Sequence, residues 1–211
     1  MWAAIGGAVA VALGLFELST LSDDEPPTVA PPTTLGIADA TAAVTTDLGT
    51  YWAIVVPDGS GTDGSDPPQV EPAVDAPPCP GTPSSTTTAA YCAATDVVTI
   101  ETERYLADLH ARHGDIGVAA VLAHQWGHAA LTRSAAEAAD VESSELAADC
   151  WAGSFLAWWS EDPTDSAVAV SALTTLEGPP DAAADAAPVL RVQAFEEGFE
   201  RGADACLQPE L

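Results

Sequence analysis

The apolar positions of this chain fall into three zones. Trp2 to Leu18 is apolar apart from Glu17. A Pro/Thr/acidic stretch follows, with Asp23-Asp24-Glu25-Pro26-Pro27 and Pro31-Pro32-Thr33-Thr34, whose turn-forming residues and lack of periodicity predict an extended linker. From Ile37 onward the pattern is that of a folded domain. Ile37 to Ile54 predicts a helix, and the Gly/Asp/Pro run from Val55 to Pro68 predicts a loop that ends it. Gln69 to Ile100 reads as mostly irregular, except that Asp96-Val97-Val98-Thr99-Ile100 is β-branched and predicts a strand. Beyond Glu101 the chain turns helical: Thr102 to Arg112, Ile116 to Thr132 and Ala135 to Trp159 are alanine-rich and longer than ten residues. Asp162-Pro163-Thr164-Asp165 starts a helix through Leu176, Gly178-Pro179-Pro180 breaks it, and Pro188 to Arg201 is the last. The fold class expected is α+β, predominantly helical with a small sheet. The organisation expected is a hydrophobic segment over 1–18, a linker over 19–36 and one domain over 37–211.

Charge and cysteine usage narrow the setting. Against 32 acidic residues stand five arginines and no lysine, a formal net charge of -27. Such a surface repels phosphate backbones, so nucleic acid is excluded as an expected partner. Cys79, Cys92, Cys150 and Cys206 show no CxxC spacing and predict two disulfides. Cys79 and Cys92 flank a Thr/Ser/Pro-rich loop that a local bridge would close, which leaves Cys150 for Cys206. Disulfides and the apolar leader together predict a protein of the cell envelope or exterior, membrane-anchored through its N-terminal segment.

The candidate chemistry lies in His124-Gln125-Trp126-Gly127-His128. Histidines four apart on a helix project from one face and can bind one zinc ion. Val118, Ala119, Val121 and Leu122 before them and Ala129, Ala130 and Leu131 after them predict a buried helix, where an unpaired imidazole would be costly. A third ligand is needed, and Glu145 and Asp149 share a face of the next helix. Glu145 is the expected ligand and Asp149 the acceptor for the outer N–H of a ligating histidine. A second pair, His110 and His113, sits beside Gly114-Asp115 without an equivalent carboxylate helix after it.

His124-x-x-Gly127-His128 followed by Glu145-Leu146-x-Ala148-Asp149-Cys150-x-Ala152-Gly153 resembles the neutral zinc metallopeptidases, whose pattern is HExGHH and then ELQADCxAG. Trp52, Cys92 after a tyrosine, and Arg191-Val192-x-x-Phe195-x-x-Gly198-Phe199 followed by Gly202 and Cys206 extend the resemblance over about Ile37 to Cys206. It implies a zincin-like domain of gluzincin type, with His124, His128 and Glu145 as zinc ligands and Asp149 behind them. Three positions depart from the pattern. Gln125 stands where the family has its general-base glutamate, Ala129 where a third histidine is usual, and Ala184-Asp185-Ala186-Ala187 where a His-Gly-Ser segment is usual. A carboxamide cannot take a proton from water at any useful pH, and losing a general base costs roughly 10²- to 10⁴-fold in rate. The expectation is an exported pseudopeptidase that keeps zinc and a cleft for a peptide or protein ligand. Two alternatives stand beside it: an active peptidase in which Glu142 or Asp149 serves as base, and a metal-free structural domain with packed histidines.

Overall fold

In the computed structural model the described residues are 36–56, 66–73, 88–134, 141–174 and 187–206. The segment 1–18, most of the linker and Cys79 lie outside them. Among the described residues, no helix is long and apolar enough to cross a membrane.

Helix α1 (Ile37–Val55) buries Ala40, Val44, Leu48, Tyr51 and Trp52, a stripe with helical spacing that faces one core. Three short strands follow: β1 (Gln69–Ala73), β2 (Ala89–Cys92) and β3 (Val97–Glu101). β3 is central, parallel to β1 and antiparallel to β2. Only β3 was legible as a strand beforehand, for a physical reason. It has two neighbours and buries Val98, Thr99, Ile100 and Glu101, whereas β1 and β2 are edge strands with mostly half-exposed residues and owe their conformation to pairing with it.

Glu101 ends β3 and starts the helical half. Its buried carboxylate accepts backbone N–H bonds from Glu103 (3.0 Å), Arg104 (3.1 Å) and Tyr105 (2.6 Å), capping a π-helical turn at Thr102–Leu106. This turn runs into α2 (Ala107–Ser134), which is two helical runs broken at Gly114, where φ is 61°. That left-handed backbone suits glycine and matches the break expected between Arg112 and Ile116. The second run is the centre of the molecule: Val118 to Gly127 is buried throughout.

Around it pack α1, α3 (Val141–Trp159) and α4 (Asp165–Leu173), while α5 (Pro188–Arg201) lies on α3. Two glycines set the α3–α5 approach. A Cβ on Gly198 would overlap the Cys150 carbonyl oxygen, and one on Gly153 would overlap that of Phe195. Gly202, at φ 80°, ends α5 and turns the chain into α6 (Ala203–Cys206). There Cys206 forms the expected disulfide with Cys150, and Cys92 is also disulfide-bonded. The architecture is α+β and predominantly helical, with a three-stranded sheet at one side.

Candidate metal centre

The centre is built where α2 and α3 touch. Gly127 permits the contact, since a Cβ there would stand 2.8 Å from the Cα of Ala148 and 3.0 Å from the Cβ of Trp151. On either side of that glycine's turn of α2, His124 and His128 point toward Glu145 on α3. The imidazole Nε2 atoms are 3.2 Å apart, and Glu145 sets Oε2 3.3 Å from Nε2 of His124 and Oε1 3.4 Å from Nε2 of His128. Nitrogen and oxygen ligands bound at 2.0–2.1 Å in a tetrahedron lie roughly 3.3–3.4 Å from one another. The two imidazole nitrogens are therefore close to the separation of neighbouring tetrahedral ligands, with one Glu145 oxygen beside each, and His124, His128 and Glu145 form a group that could hold a metal ion.

Each histidine is held from behind. Nδ1–H of His124 donates to Oδ1 of Asp149 at 2.9 Å, and Nδ1 of His128 lies 3.3 Å from the Ser144 hydroxyl. These contacts leave both Nε2 atoms facing the centre, the orientation that metal ligation requires. Asp149 is fully buried, and Arg191 of α5 grips it with Nε to Oδ2 at 2.7 Å and Nη2 to Oδ1 at 2.9 Å.

The electrostatics follow from this packing. Burial alone would strip His124 of its proton, but its hydrogen bonds to Asp149 and Glu145 prevail and raise its pKa to about 9. Burial and the neighbouring charge of His124 act together on His128 and lower it to about 4. Two imidazole nitrogens 3.2 Å apart cannot both carry protons, so without a metal the pair shares one, held on Nε2 of His124 beside Glu145 and His128. Glu145, despite partial burial, is kept ionised by His124, down to about 2. Asp149 is lowered too: Arg191 and His124 outweigh its desolvation.

Gln125, one residue past His124, is 4% exposed, and its Oε1 is buried without a hydrogen-bond partner among the described residues. Ala129 is buried and offers no ligand atom. Of the alternative bases, Asp149 has both oxygens engaged by Arg191 and His124, and Glu142 forms no ion pair with either histidine among the described residues. The second histidine pair stays apart from this centre: Nε2 of His110 pairs with Asp115 at 2.8 Å, and His113 joins no metal-holding group among the described residues.

Two contributors had no role assigned from sequence, Ser144 and Arg191. A signal for the second existed. In a chain with 32 carboxylates and five arginines, a buried aspartate has few possible counter-ions. Beneath the centre, Trp126 packs edge-on against Trp52 (5.6 Å between ring centroids), and Trp52 lies 6.3 Å from Trp151. Arg133, paired with Asp96, covers the Trp52 ring at 4.8 Å. Compared with known protein families, curated proteins and solved structures, the chain finds no match in any of the three.

Proposed function

We propose that this chain is an exported zinc-metallopeptidase-like protein that keeps its metal, has lost most of its hydrolytic power, and uses the centre to bind a peptide or protein ligand. One observation carries the reading: two imidazole nitrogens 3.2 Å apart converge with a carboxylate that sets one oxygen beside each, on a helix where the residue after His124 is Gln125. The donor set, two neutral nitrogens and one carboxylate oxygen, suits zinc, and three protein ligands leave a position open, as in catalytic rather than purely structural sites. When bound, zinc would polarise a carbonyl oxygen or water as a Lewis acid. Proton transfer is what this chain lacks. Gln125 can accept or donate a hydrogen bond but cannot take a proton, and Asp149 is fixed between Arg191 and His124. A zincin-like domain is the fold this reading implies. Export agrees with the Cys150–Cys206 disulfide, which is the chemistry of oxidising compartments.

The test measures zinc content and peptide hydrolysis for the wild type beside Gln125→Glu. Zinc in both, with hydrolysis rising at least 100-fold in the variant, is the expected result. Chelator-sensitive hydrolysis in the wild type at the variant's rate would overturn the loss of activity. Absence of zinc from both proteins would overturn the metal reading as well.

A further inference from the structure

We infer that Arg191 is a positioning residue for the metal centre, acting on His124 through Asp149. The inference rests on the zinc reading above and adds a third helix, α5, to the two that carry the other side chains of the centre.

The geometry makes the case. On the side away from the centre the His124 ring is held by one hydrogen bond, Nδ1–H to Oδ1 of Asp149. A lone carboxylate can swing about its terminal torsion, which is broad and only weakly staggered, and the ring would follow it. Arg191 removes that freedom. Its planar fork takes one bond to each Asp149 oxygen, at 2.7 and 2.9 Å, and such a two-point grip defines the plane of the carboxylate as well as its distance. With the plane fixed, Oδ1 is aimed at His124, and Nε2 of that ring is aimed at the point where Glu145 and His128 converge. The charge of Arg191 also acts on His128 and Glu145, but its two hydrogen bonds to Asp149 are what fix the direction of a ligand ring.

The fork is itself precisely delivered. Arg191 is one-tenth exposed at the side chain and sits in the first turn of α5. The Gly153 and Gly198 approaches bring α5 backbone to backbone with α3, the helix carrying Asp149. Cys150, the neighbour of Asp149, is bonded to Cys206 just beyond α5. The helix that carries the grip is thus fastened at two points to the helix that carries the gripped residue.

The experiment uses the full chain, with Zn²⁺ affinity measured by chelator competition and Co²⁺ absorption as a report on ligand geometry. Arg191→Met should bind Zn²⁺ 10- to 100-fold more weakly, the usual cost of losing an outer partner of a metal ligand, and its Co²⁺ bands should weaken. Arg191→Lys, which keeps the charge without the fork, should fall between Met and wild type and covers the case in which the Met variant does not fold. In an Asp149→Asn background, Arg191→Met should add less than threefold, because the two residues act in series. Wild-type affinity and spectra in both Arg191 variants would overturn the inference while leaving the zinc reading intact. So would full additivity with Asp149→Asn. A wild type that binds no Zn²⁺ would overturn the zinc reading first and this inference with it.

Discussion

His124 shows how a single side chain can be set for one of two occupants. Without metal, it holds a proton up to a pKa of about 9 because Asp149 and Glu145 outweigh its burial. Any metal must displace that proton, while His128, at about 4, and Glu145, at about 2, are already free of theirs at neutral pH. Zinc affinity should therefore rise about tenfold per pH unit from 7 toward 9 and then level off, with about one proton released per ion below pH 9. Proton release in weak buffer, alongside affinities at three pH values, checks this. Affinity that is flat between pH 7 and 9 would contradict the shared-proton account. At this scale the sequence was informative about identity and poor about partnership. The spacing of His124, His128, Glu145 and Asp149 marked four residues of the cluster, but Arg191 lies 42 positions from Asp149, and no local pattern links them.

Between elements, the fold is governed by where backbones touch. Gly198 lies against the Cys150 carbonyl, so Gly198→Ala must push α5 off α3. We expect a loss of about 3 kcal/mol, seen as a lower denaturant midpoint, the upper end for overpacking because backbone rather than a side chain must yield. A stability within 0.5 kcal/mol of wild type, by the same order-of-magnitude reasoning, would mean the helices are not in contact there. Glu101 offers a second test. Burial would raise its pKa, but three backbone N–H bonds prevail and lower it below its ordinary value of 4.5. A depressed carboxylate contributes stability that is present above its unfolded pKa and lost as pH falls through the folded one. Glu101→Gln should thus cost about 1–2 kcal/mol at pH 7 and progressively less on acidification below pH 4.5, as followed by thermal melting. An equal cost at pH 7 and pH 3 would show that the charge is immaterial. The helices and the Gly114 break were legible in advance because composition and one glycine determine them. Strands β1 and β2 were not, because their stability comes from hydrogen bonds to β3 rather than from their own side chains.

For the domain as a whole, one covalent link ties the C-terminal helices to the core. The Cys150–Cys206 bridge spans 56 residues, a loop whose closure is worth about 4 kcal/mol in the chain-entropy picture. Replacing both cysteines by alanine should lower the melting temperature by roughly 8–16 °C for a chain of this size, while a shift under about 3 °C would show that α5 and α6 hold without it. The acidic surface works against the fold. With a net charge of -27, self-repulsion should be relieved by salt, so melting temperature should climb between low and physiological ionic strength rather than fall. Three of the six tryptophans add something of a different kind. Trp52 is buried against both Trp126, which the histidine helix itself carries, and Trp151, an arrangement expected to give a strong near-ultraviolet circular dichroism signal and to lose it when side-chain packing loosens. The protein thus carries its own unlabelled optical gauge of the ground on which the centre stands.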